Sequence, residues 1–178
     1  MQSTDTARQN GWRLTFNRKR SSGLADCLTF ISGDNQVEAR KKLDDLSYLF
    51  CNEKESIIHL FFDCCVAKLV WGEISTTTNC NVGTDFESVA KWWISSTKHA
   101  ALNVFCAATL WAFWNLRNEI CFQGVAWRDV RMLLIRIVKT LQGWRPVCRE
   151  KDWLCLEEWS TSLEAMATQP MVLGWEVS

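Results

Sequence analysis

Residues 48–74 read YLFCNEKESIIHLFFDCCVAKLVWGEI, and the reading of the rest of the chain depends on this stretch. Cys51 is followed by a polar, turn-like segment from Asn52 to Ser56, then by His59 and the pair Cys64-Cys65. Ile57, Leu60, Phe61, Cys64, Val66, Leu69, Val70 and Ile74 approximate the 3.6-residue period of an amphipathic helix. Their phase shifts at Cys64-Cys65, which predicts a break between two shorter helices. Thiolate and neutral imidazole are the usual ligands of tetrahedral Zn²⁺, so Cys51, His59 and Cys64 are candidate metal ligands. One condition applies. A continuous α-helix turns residues five apart, such as His59 and Cys64, about 140° away from each other. Both reach one ion only if the helix is interrupted or begins near His59.

The string C-N-E-K-E-S-I-I-H-L-F-F-D-C, with A-K-L-V-W after it, resembles the zinc-binding domain that follows the reverse transcriptase in plant non-LTR retrotransposons. That family's pattern runs C-x-x-C, an acidic turn with Glu, H-L-F-x-x-C and a helix containing V-W. Cys51, Glu55, His59, Leu60, Phe61, Cys64, Val70 and Trp71 match it. The resemblance implies Zn²⁺ held by Cys51, His59 and Cys64 as structural ligands. The family's first cysteine falls where this chain has Tyr48, a poor ligand because its phenol must lose a proton of pKa near 10. The resemblance therefore implies a site one ligand short. Cys65, Cys80 and Glu53 are alternatives for the fourth position, and no spacing singles one out. Two other strings are similar to the same polyproteins. W-R-L-T-F-N-R at 12–18 resembles a segment that lies much farther from the zinc motif in the family, which implies a truncated or internally deleted copy. Trp111, Trp114, Arg117 and Asn118 match a helix of W-x-x-W-x-x-R-N type.

Composition sets the frame. The chain has 178 residues, 48% of them apolar, with eleven Trp, two Pro and eight Gly. That is enough for a core, and it favours long helices over disorder. Formal net charge is zero, so no whole-molecule field attracts nucleic acid. The nine cysteines are odd in number and irregular in spacing, and the opening MQSTDTARQN has no apolar h-region. A reducing, intracellular setting, nuclear or cytoplasmic, is expected, with free thiols and at most one metal site, and no secretion. The apolar run from Ala100 to Trp114 falls short of the ~18–20 residues of a membrane span. It reads as a core helix, and no membrane association is expected.

Three regions follow. Residues 1–35 read as an irregular basic arm, with Arg13, Arg18, Lys19 and Arg20 interleaved with Trp12 and Phe16. Residues 36–149 read as a zinc-binding-like helical domain. Within it helices are predicted over 37–46, from Ser56 to about Ser75, over 86–95 behind an Asp85 cap, over 100–121 with a stop at Gly124, and over 127–143 with a stop at Gly143. A small strand at 48–50 and a loop at 76–85 complete it. Arg117 is expected to stack on an aromatic or pair locally. Residues 150–178 read as a tail with a short helix, broken near Ser160. The predicted fold is mainly α: a small zinc-knuckle-like loop, with or without a short β-hairpin, packed on a bundle of four to five helices.

The chemistry of an enzyme is missing from the motifs. Asp44-Asp45 lacks the aromatic and hairpin setting of a polymerase aspartate pair, and no phosphate loop, nucleophile elbow or HExxH is present. The expected function, which rests on the resemblance, is a zinc-binding accessory module that contacts RNA or DNA without polymerase activity of its own. Arg13, Arg18, Lys19 and Arg20 on the arm, and Arg128, Arg131, Arg136 and Lys139 on the 127–143 helix, are the candidate phosphate contacts. The alternative is a structural or protein-interaction remnant of a decayed retroelement that binds neither metal nor nucleic acid.

Overall fold

Helix-forming residues and 3.6-period apolar faces run through the chain from Ile57, and the structure follows them. The computed structural model describes residues 50–51, 56–94 and 99–169. Among these are five α-helices: α1 (Cys65–Thr78), α2 (Phe86–Ile94), α3 (Ala100–Gln123), α4 (Arg131–Trp144) and α5 (Glu150–Thr168). A π-helical turn, His59–Asp63, precedes α1, and a 3₁₀ turn, Arg145–Val147, joins α4 to α5. The described residues contain no strand. The helix expected over 37–46, Tyr48-Leu49 of the expected strand and the four arm cations lie outside the described residues. The fold is mainly α, as the sequence predicts.

The central element is α3. It spans about 36 Å at 1.5 Å per residue and is buried on most sides from Leu102 to Phe113. Its main contacts are with α4, which in turn packs along α5, while α2 and the π-turn lie against α3 and α1 lies against α5. In α4 the buried residues Leu133, Leu134, Ile137, Val138 and Leu141 form the stripe that the sequence marks, and Val130 is half-buried. Gly124 ends α3 in the left-handed conformation at φ 69°, which glycine adopts without a Cβ clash.

The start of α2 follows its sequence cue. The Ser88 N–H donates to Asp85 Oδ1 at 2.9 Å and the Ser88 hydroxyl to Oδ2 at 2.7 Å. The amide contact holds the Asp85 carboxyl below the usual carboxylate range. Gly83, at φ +81°, turns the chain into this cap, and a Cβ there would lie 2.2 Å from Ser88 Cβ. Gly83→Ala is therefore expected to lower stability by roughly 1–3 kcal/mol from backbone strain, with the clash adding to it. A thermal melt indistinguishable from wild type would contradict this.

Several boundaries differ from the sequence reading. Thr76 to Thr78 belong to α1 rather than to the following loop. The Thr76 and Thr78 hydroxyls donate to the carbonyls four residues back, those of Gly72 and Ile74, which satisfies them within the helix. Helix α4 starts at Arg131 rather than Trp127, because Asp129 Oδ1 accepts the Arg131 N–H at 2.9 Å. Gly143 lies inside α4, which ends at Trp144. Helix α5 runs unbroken through Ser160, with Trp153, Leu156, Ser160, Leu163 and Ala167 buried along one face. The tail with a short helix is thus a 19-residue helix that contributes to the core.

Candidate metal centre

Ser56 opens the local structure around His59. Its hydroxyl accepts the His59 N–H at 3.0 Å and its carbonyl accepts the Leu60 N–H at 2.8 Å, the N-cap role that Ser favours. The chain then makes a π-turn, closed by the Cys64 N–H donating to the His59 carbonyl at 3.0 Å. Such a turn bonds across five residues instead of four, so the α-helical spacing that would turn His59 and Cys64 away from each other does not apply. Cys64 itself has φ −58° and ψ 142°, an extended geometry, and α1 begins anew at Cys65. The interruption that both ligands require is present, at the cysteine pair where the apolar phase shifts.

The three side chains converge. Cys51 Sγ lies 2.9 Å from His59 Nε2 and 3.8 Å from Cys64 Sγ. All three ligand atoms lie within 4.8 Å of one another, a grouping able to hold a metal ion. Metal–sulfur bonds of ~2.3 Å in a tetrahedron place two sulfurs about 3.8 Å apart, which is the spacing seen. The same geometry places sulfur and imidazole nitrogen about 3.6 Å apart, so the Cys51–His59 gap is the tighter edge. His59 and Cys64 are buried and Cys51 is half-buried. Burial pushes the Cys64 thiol up to about 12; the Val66 and Ala67 backbone N–H groups act against it and the charges of Cys51 and Cys65 with it. A bound cation stabilises the thiolate and displaces that proton.

Aromatic packing fixes this loop to the helices. Phe61 meets Phe113 of α3 edge-on at 6.4 Å, and Phe62 stacks on Trp71 of α1 at 5.9 Å and meets Phe86 of α2 at 5.8 Å. The Trp71 indole N–H donates to the Phe61 carbonyl at 2.7 Å. On the other side of the site Phe50 is buried, with its ring 4.4 Å from that of Trp127. The His59 and Cys64 ligands thus sit on a turn held by three helices, and Cys51 follows an anchored phenylalanine. Of the alternatives for a fourth ligand, Cys65 is exposed and Cys80 half-buried, and neither belongs to the grouping. Tyr48 and Glu53 lie outside the described residues.

The four cations between Arg128 and Lys139 divide into two groups. Arg131 bonds Asp129, with Nη2 2.6 Å from Oδ2, and Arg136 forms a two-point pair with Glu119 of α3. Arg128 and Lys139 are exposed. Arg117 is buried and lies over the Phe122 ring at 5.6 Å, the aromatic stacking its sequence context suggests. The sequence reading missed Ser56 and the Trp71–Phe61 contact. The first has a local signal, a serine three residues before the histidine. The Trp71–Phe61 contact has none beyond the tryptophan itself. Set beside known proteins, the chain matches no family model, no curated protein and no solved structure. No helix among the described residues is long and apolar enough to cross a membrane.

Proposed function

We propose that the protein is a structural zinc module that serves as a non-enzymatic accessory to nucleic-acid chemistry, of the kind its motif resembles. The observation that carries this is the convergence of Cys51, His59 and Cys64 within 4.8 Å across an interrupted helix. Two thiolates and an imidazole favour zinc over the hard cations Mg²⁺ and Ca²⁺, which take oxygen ligands. The ion clasps the segment at Phe50-Cys51 to the helical body, where residues 1–49, with their basic cluster, join it. Zinc content of the purified protein tests the metal: about one equivalent supports the reading, and none under reducing conditions with added zinc removes it.

The nucleic-acid role rests on fewer groups than the sequence offers. Arg131 and Arg136 are already bonded to carboxylates, which leaves Arg128, Lys139 and the arm as the main phosphate contacts. Arg128→Ala and Lys139→Ala are each expected to weaken binding to a short single-stranded oligonucleotide and to lower the slope of log affinity against log salt by about 1 or slightly less. Arg136→Ala acts mainly on the fold, by about 1 kcal/mol or less. The two committed arginines also favour a second reading, a protein-interaction module scaffolded by zinc. Binding that is undetectable or insensitive to salt would select it.

A further inference from the structure

The same three side chains that suit an ion also suit a covalent exchange. Cys51 Sγ and Cys64 Sγ are 3.8 Å apart, so closing a bond of ~2.05 Å requires a combined sulfur movement of about 1.8 Å. The two positions differ in access: Cys51 is half-buried, and Cys64 is 0% exposed. An oxidant from solvent therefore meets Cys51 first, and the thiol behind it is placed to resolve the product. Elsewhere among the described residues, Cys106 is buried within α3 and Cys155 lies exposed on α5.

We infer that Cys51 and Cys64 form a peroxide-oxidisable dithiol, and that the disulfide replaces zinc as the clasp on residues 50–51. The inference rests on the zinc reading above. The Cys51 thiolate attacks one peroxide oxygen. The O–O bond breaks, hydroxide leaves, and Cys51 becomes a sulfenic acid. The Cys64 thiolate then attacks that sulfur, the S–O bond breaks, and a second hydroxide leaves. Two thiolates and one hydrogen peroxide give one disulfide and two hydroxides; the sulfurs supply two electrons, and the zinc departs as Zn²⁺ with its charge unchanged. In the product His59 has lost its shared ion, yet Cys51 stays joined to the start of α1 through Cys64. A reducing dithiol reverses the bond, and zinc re-enters.

Two neighbouring thiols compete. Cys65 is exposed beside Cys64, and the exposed Cys155 consumes peroxide without belonging to the site. The test uses the full-length, zinc-loaded protein in which both carry serine, C65S and C155S, beside wild type. Zinc content is measured first, then zinc release into a chromogenic chelator as hydrogen peroxide is added, with peptide mass spectrometry of the products. The expected result is release of one zinc per Cys51–Cys64 disulfide in both proteins, with zinc taken up again after reduction. Zinc retained under peroxide, a Cys64–Cys65 or Cys51–Cys65 linkage, or sulfinic acid at Cys51 without a disulfide would each overturn the exchange while leaving the zinc reading intact. A reduced protein that takes up no zinc at the outset removes both.

Discussion

Cys64→Ser is expected to lower zinc affinity by at least about 100-fold while leaving the helices in place. Losing an outer partner of a ligand already costs 10–100-fold, and the loss of a ligand itself costs more. The choice of serine separates metal from fold. Cys64 occupies the N-cap position of α1, where Ser is among the preferred residues, and the hydroxyl has the shape of the thiol at a smaller size. Without zinc the variant should therefore melt close to wild type treated with a chelator. With zinc the two should separate. Free zinc at about 1,000 times its dissociation constant adds about 4 kcal/mol to wild type by mass action and little to the variant. Equal melting temperatures for wild type with and without zinc would end the structural-zinc reading. Tyr48→Cys supplies the complementary measurement, because the resemblance puts a fourth ligand at that position. An affinity that rises with this change supports the kinship of the motif, and an unchanged affinity means that another group, or water, completes the shell.

The sequence gives the site more clearly than the turn that builds it. Cys51, His59 and Cys64, which the structure brings together, are picked out by residue type and by the resemblance, and the break at Cys64-Cys65 by the shift in apolar phase. The π-turn between them has no marker in His59–Asp63, since a bond across five residues depends on what Phe61 and Phe62 pack against. Helix α3 is legible because its apolar run and Gly124 are local signals. The onset of α4 is not: Trp127 fits the helical pattern, but it packs against Phe50, far away in sequence, and Asp129 captures the first free amide. Ser160 suggests a break for the same reason. A lone serine costs a helix little, and Trp159 beside it stacks on Phe105 of α3 at 5.6 Å, which carries α5 through. The surface reading of Arg136 missed Glu119, seventeen residues earlier and on another helix. Asp129 acts within two residues of the amide it captures, but Phe50, Phe105 and Glu119 lie outside any local window of the residues they hold.

Trp71→Ala is expected to be the most damaging single substitution near the site, costing on the order of 3–5 kcal/mol from lost burial and the cavity left behind. Trp71 is 0% exposed, it stacks on Phe62, and its N–H satisfies the Phe61 carbonyl inside the π-turn. Trp71→Phe separates these contributions. It keeps a stacked ring on Phe62 but leaves the carbonyl without its indole donor, an expected cost of about 1–3 kcal/mol. Phe61 lies between His59 and Cys64, so loosening that carbonyl loosens the register that brings the two ligands together. Zinc affinity of Trp71→Phe should therefore fall along with its melting temperature. If stability falls and zinc affinity does not, the ion itself imposes the turn, and the aromatic packing only receives it. If both fall, the helical core preorganises the ligands before zinc arrives, and the site is a consequence of the fold.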